Sequence, residues 1–265
     1  MLTFSLALTP LLFASNFYTT QGNADETIDL KTRGDVSQRF LWMPRDGATD
    51  SVILFSGGKG KIKLEDDGEI RKGGNFLVRS RNQFAKQKLN VAVFDAPSDH
   101  YGKKGMKVDF FRDSKEHTKD IDAVINYIKE KVNTPVWLVG TSRGTESAAN
   151  GAINLPGKID GLILTASMAA ENNKGVSLPE MELHKITVPT LIVSHEDDMC
   201  HVTPPEGSED IKDGLTNASK VEVKYFSGGD ESTSKPCKAK SAHGFLGIEA
   251  EVVDYIANFI KVNSQ

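Results

Sequence analysis

Pro135-Val136-Trp137-Leu138-Val139-Gly140-Thr141-Ser142-Arg143-Gly144 decides how the rest of this chain is read. An apolar run passes directly into the pentapeptide G-x-S-x-G, and the small residues Ala148-Ala149-Asn150-Gly151-Ala152 follow. The run reads as a buried strand and the small-residue stretch as a helix, so the pentapeptide is the turn between them. A serine on so sharp a turn is pushed into a strained backbone conformation. Glycine on both sides lets strand and helix approach closely enough to form it. The hydroxyl is then held clear of the sheet, above a helix N-terminus that favours developing negative charge. Outside that context the serine would merely cap a helix.

Working outward, short apolar runs alternate with longer helical patterns. Strands are predicted at Ser51–Phe55, Asn90–Phe94, Gly161–Thr165, Thr190–Ser194 and Val221–Phe226, besides the run before the serine. A helical stretch is expected around Asn75 to Gln87. From about Ser114 to Lys131, Ile121, Val124, Ile125 and Ile128 fall on one helix face, and a closing helix from about Gly247 to Val262 buries Ile248, Val252, Ile256, Phe259 and Ile260. Thr27 to Trp42 reads as an antiparallel pair. The alternation predicts an α/β fold with a mostly parallel sheet covered on both faces. The short connection from the Gly161 strand to the Thr190 strand leaves no room for a sizeable helical lid.

The chain has 265 residues, which suits one α/β domain over residues 25–265. Its net charge of −4 predicts no basic face and argues against nucleic acid as a partner. No later segment approaches the roughly 18 consecutive apolar residues needed to cross a bilayer. Residues 1–24 carry no Asp, Glu, Lys or Arg and begin with an apolar block, although a basic n-region is missing. With Gly22-Asn23-Ala24 before Asp25, they read as an export signal, placing the protein outside the cytoplasm, secreted or periplasmic. Cys200 and Cys237 are the two cysteines, an even count that in an exported protein suggests a disulfide.

A serine nucleophile needs a base to take its proton and a third group to orient that base. His243, in Ser241-Ala242-His243-Gly244-Phe245 just before the closing helix, is the candidate base. His100, His117 and His184 precede or lie far from the acids that end the Thr190 strand. His117 reads as a solvated surface residue, and His195 and His201 as local hydrogen-bonding residues. The acid comes from Glu196-Asp197-Asp198, with Asp198 preferred and Asp197 the alternative. The oxyanion of an acyl-transfer intermediate needs N–H donors. These are expected from Arg143, the residue after the nucleophile, and from the glycine-rich loop Gly57-Gly58-Lys59, through Gly58 or Lys59.

Two other readings fail. Gly57-Gly58-Lys59-Gly60-Lys61 lacks the spacing of a phosphate loop, with Ile62 where a Mg²⁺-binding hydroxyl is needed. His195, Asp197, Asp198 and His201 lack a recognised ligand spacing, so no metal or other cofactor is assigned.

With serine turn, acid, late histidine and glycine-rich loop in order, the chain from about Ser51 to Ile260 resembles the α/β-hydrolase superfamily, in the compact form of lidless esterases and dienelactone-hydrolase-like enzymes. Phe94-Asp95-Ala96-Pro97 is similar to a strand-end D-x-P of that superfamily. Asp198-Met199-Cys200-His201-Val202-Thr203-Pro204 is similar to the segment after its acid, which favours Asp198 over Asp197. The resemblance departs at Ser56, where a histidine often precedes the oxyanion glycines, and at the variable position of Arg143. It implies a serine esterase acting on a small-molecule ester through an acyl-enzyme, with no stable membrane insertion. The alternatives are a peptidase or amidase with the same triad, or a non-catalytic binding protein of this fold. A Cys200–Cys237 bridge would tie the acid's loop to the loop preceding His243.

Overall fold

A computed structural model describes residues 24–264 except 109 and 173. Of the export-signal reading, residues 1–23 lie outside the described residues.

Eight strands form one sheet: β1 (Glu26–Arg33), β2 (Val36–Met43), β3 (Asp50–Phe55), β4 (Leu89–Phe94), β5 (Val136–Ser142), β6 (Gly161–Ser167), β7 (Thr190–His195) and β8 (Val221–Phe226). Their order is β1-β2-β4-β3-β5-β6-β7-β8. β2 runs antiparallel to both β1 and β4, and the other pairings are parallel. Four longer helices lie between strands, α1 (Phe76–Lys86), α2 (Lys115–Lys131), α3 (Gly144–Asn154) and α4 (Gly207–Gly214), and a fifth, α5 (Glu249–Asn263), follows β8.

The central strands are apolar without alternation because both faces are covered. In β3, Ile53 and Phe55 pack toward α2 and α3, whereas Val52 and Leu54 pack toward α1 and α5. Asn75 caps α1, accepting from the Leu77 N–H at 3.2 Å, and Ser114 caps α2 through the His117 N–H at 3.2 Å. The chain leaves β3 for β4 on one side and then crosses back to β5 on the other. Right-handed crossovers in opposite directions place α1 and α2 on opposite faces, and the reversal opens a crevice at the carboxyl ends of β3 and β5.

One expectation needs correction, and one helix adds to the sequence reading. His117 is fully buried rather than solvated. It sits one turn before Ile121 and so continues the stripe Ile121, Val124, Ile125, Ile128, packing among Phe55, Phe94 and Phe111. Burial holds its imidazole well below the usual histidine range, and so neutral. Helix α4 was not anticipated: among its eight residues only Ile211 is a buried large apolar side chain, too little to reveal a period.

Candidate active site

One residue, Arg143, separates the end of β5 at Ser142 from the start of α3 at Gly144. Ser142 has φ +52°, in the left-handed region that L residues other than Asn and Asp seldom occupy. Packing enforces this. A Cβ on Gly140 would stand 2.5 Å from the Gly144 carbonyl oxygen, and one on Gly144 would overlap the Phe55 carbonyl oxygen. The Thr145 hydroxyl donates to the Ser142 carbonyl at 2.6 Å and closes the turn. From the neighbouring strand, a Cβ on Gly57 would lie 2.9 Å from both the Ser142 Cβ and the Thr141 carbonyl oxygen. The glycine-rich loop is thus pressed against the serine.

Two buried charges hold that loop. Asp95, at the end of β4, accepts from the N–H groups of Ile62 at 2.7 Å and Leu64 at 2.9 Å, and from the Tyr101 hydroxyl at 3.0 Å. Burial raises its carboxyl, and these bonds oppose the rise. Arg112 lies beneath the loop, donating to the Ser56 carbonyl at 3.0 Å and to Ser147 Oγ at 2.6 Å. Complete burial brings its guanidinium down to about 10, still charged at neutral pH. Neither support was read from the sequence as such, although Asp95 stands in the D-x-P segment.

His243 is buried in the short turn Ala242–Gly244, with Nδ1 2.8 Å from Asp198 Oδ2. The Thr203 hydroxyl donates to the same oxygen at 2.9 Å and lies 3.1 Å from Nδ1. Asp198 Oδ1 accepts the Cys200 N–H at 2.9 Å. With Nδ1 committed to the carboxylate, Nε2 is the imidazole nitrogen left for a substrate or nucleophile. Thr203 is a site residue that the sequence reading missed. It lay inside the segment quoted after the acid, but nothing local marked its hydroxyl.

Asp197 and Glu196 are exposed. Buried His195 bonds once locally and once across the chain: its Nδ1 accepts the Asp197 N–H at 3.0 Å, and its Nε2 is 2.9 Å from the Gly228 carbonyl. With Asp198 also engaged, the four residues considered for a metal do not turn toward one point. Cys200 and Cys237 are joined by a disulfide. His201 lies beside it, yet both sulfurs are already consumed.

Ser142, Arg143, Gly57, Gly58 and His243 line one cavity of about 380 Å³, whereas Lys59 lines an adjoining one. No hydrogen bond joins Ser142 Oγ to His243 among the described residues. Such bonds commonly tighten only once substrate is bound. The Arg143 side chain turns sideways, donating to Glu146 at 3.0 Å and to Asn172 at 2.5 Å. Burial outweighs Arg112 and Arg143 at Glu146 and carries its carboxyl up to about 7. The cavity is also rich in cations: Lys107, Lys174 and Lys238 line it with Arg143. A basic face therefore exists here, because an average over the whole chain hides a local concentration of charge.

No protein-family model matches the chain, and no curated protein sequence does. Solved structures do. An esterase of Pyrococcus furiosus superposes with TM-score 0.63 at 15% identity, covering 90% of this chain and 92% of its own. Dienelactone hydrolase of Anabaena variabilis gives 0.61 at 10% identity, covering 91% and 99%. A lidless α/β serine hydrolase of Xanthomonas campestris gives 0.55 at 15% identity, covering 89% and 94%. At such identities the likeness is one of architecture, and it agrees with the sheet order and the serine turn: the chain has the α/β-hydrolase fold.

Proposed function

We propose that this protein is a serine hydrolase that cleaves carboxylic esters, with Ser142 as nucleophile, His243 as general base and Asp198 as the acid that orients it. One observation carries the reading. A buried carboxylate–imidazole pair at 2.8 Å opens onto the cavity that holds a serine at φ +52° on a strand-to-helix turn. The likeness in fold to proteins described as esterases supports the same reading.

In this mechanism Ser142 Oγ attacks the ester carbonyl carbon while His243 Nε2 takes its proton. The carbonyl π electrons move to oxygen, and that oxyanion is met by the N–H groups of Arg143 and Gly58, in a turn and loop already packed together. Collapse re-forms the carbonyl and breaks the bond to the alcohol, which leaves with the proton from His243. Water, deprotonated by His243, then attacks the acyl-enzyme and releases the acid and the free serine. Asp198 holds Nδ1–H throughout and stabilises the imidazolium, while Thr203 keeps Asp198 in place. The disulfide and the uncharged, apolar N-terminal segment support an oxidising compartment outside the cytoplasm.

A fluorophosphonate probe is expected to label Ser142, and p-nitrophenyl butyrate to be hydrolysed. Ser142→Ala should lose labelling and lower kcat about 10⁵- to 10⁶-fold with the melting temperature nearly unchanged. Faster turnover of peptide anilides than of esters would move the assignment to an amidase, and an unlabelled serine in folded protein would end it.

A further inference from the structure

The protein carries a net charge of −4, yet its candidate active site is ringed by positive charge. Lys107, Arg143, Lys174 and Lys238 line the cavity that contains Ser142 and His243, and no described carboxylate does. An adjoining cavity of about 680 Å³ shares Lys107 and Lys174 and adds Lys59, Lys103 and Lys104, again with no described carboxylate in its wall. Asp109, in the same stretch of chain, lies outside the described residues. None of these six lysines takes part in an ion pair among the described residues. Two buried acids beside the site are committed elsewhere, Asp198 to His243 and Glu146 to Arg143. Burial, and then the crowding of Arg143, Lys174, Lys238 and Arg112, lower the Lys107 ammonium. Cations gathered against their mutual repulsion, without a counter-charge, raise the local concentration of an anion and gain most when one binds. Phe110, half-exposed and at φ +55°, and Val108 add an apolar wall to the outer cavity.

We propose that the substrate is an anionic ester, with a carboxylate or phosphate on a short hydrocarbon portion that reaches from the scissile bond at Ser142 toward Lys107 and Lys174. The proposal rests on the ester-hydrolase reading and names the substrate class of that same site. Lys107 and Lys174, common to both cavities, discriminate between substrates, and the outer lysines steer them inward.

The test compares the p-nitrophenyl hemiester of glutaric acid with p-nitrophenyl valerate, which has the same chain length but no charge. Ser142→Ala supplies the blank, because the free carboxylate of the hemiester assists its own hydrolysis. At low salt, kcat/KM for the hemiester should exceed that for the valerate by about tenfold or more. Raising ionic strength from about 0.02 M to about 0.5 M shortens the screening length from roughly 20 Å to about 4 Å and should erase most of that preference. Lys107→Met with Lys174→Met should lower the hemiester-to-valerate ratio about tenfold. Lys86→Met, exposed at the end of α1, should leave the ratio where it was. Using a ratio keeps the answer independent of any loss of folded protein. Equal or greater activity on the valerate, or a ratio untouched by the double substitution, overturns the proposal and leaves the ester-hydrolase reading standing. Turnover of neither ester, together with an unlabelled Ser142, overturns both.

Discussion

The turn that carries Ser142 and the loop that leads to His243 are built by different means. The serine turn lies between β5 and α3, and its geometry follows from backbones that touch: Gly140 against Gly144, Gly144 against Phe55, Gly57 against Ser142. Nothing there can move without displacing regular elements. His243 follows the long polar segment 227–241, most of it exposed. That segment is held by the Cys200–Cys237 bridge, by Ser241 Oγ donating to the Pro236 and Lys238 carbonyls at 2.8 Å, and by Arg79 donating to the Gly244 carbonyl at 2.5 Å. Ser142 is positioned by packing, whereas His243 is positioned by a crosslink and a few hydrogen bonds. A side chain added at Gly140 or Gly144 should therefore register in stability, whereas loss of a hydrogen bond that seats His243 should register in catalysis first.

After removal of Ser142 itself, the largest effect should come from the bond between Asp198 and His243. Asp198→Asn keeps the shape of the side chain but favours the wrong imidazole tautomer, since an amide N–H in that place would donate to Nδ1. We expect kcat to fall about 10⁴-fold with a melting temperature within a few degrees of the parent. Thr203→Val, which removes only the hydroxyl that steadies Asp198, should cost much less, and its loss should fall in kcat rather than KM. A fall confined to KM in either variant would place these residues in substrate binding instead.

Next comes the crosslink. The bridged cysteines are 37 residues apart, and a loop of that length stabilises the fold by about 4 kcal/mol in the chain-entropy account. Cys200→Ser with Cys237→Ser should lower the melting temperature by about 10 °C. Below the new transition, kcat should still be reduced, because the loop before His243 samples more conformations. Phosphonylation of Ser142 by a small probe would slow together with ester hydrolysis. A variant with lower stability but full activity at low temperature would mean that the hydrogen bonds alone seat the histidine.

These two regions also differ in how far the sequence revealed them. The serine turn was legible because its cause is local: glycine spacing, an apolar run before it and small residues after it sit within a few positions. The positions of the central strands along the chain and the buried faces of α2 and α5 were legible for the same reason, through period and length. His243 and Asp198 were reachable by chain order, yet what holds them was not. Thr203 acts through one hydroxyl, and Arg79 reaches the His243 turn from α1, 165 positions away in the chain. His117 misled because its polarity outweighed its place on the apolar stripe, and Arg112 gave no hint that it would be buried beneath the glycine loop. Distant polar contacts leave no periodic trace in a sequence, so a site built on them is visible only in three dimensions.

Glu146 offers the smallest effect and the sharpest check on the packed side. It lies in the first turn of α3, almost fully buried, 3.0 Å from an Arg143 nitrogen, with the backbone of Gly175 directly against the pair. Burial carries its carboxyl from 4.5 up to about 7. The folded protein therefore holds this proton more tightly than the unfolded chain. The stabilisation is fully present below about pH 4.5 and is lost as pH rises through about 7. Its full size is on the order of 3 kcal/mol, and Arg143 and Arg112 offset part of what ionisation would otherwise cost. In Glu146→Gln the side chain keeps its volume but does not titrate. Urea midpoints measured between about pH 5 and pH 8 should fall less in the variant than in the parent, with the two curves separating most steeply between about pH 5 and pH 7 and the gap nearly complete by about pH 8. Parallel curves would show that the serine turn tolerates a charged Glu146, through an Arg143 pairing that compensates for burial in full.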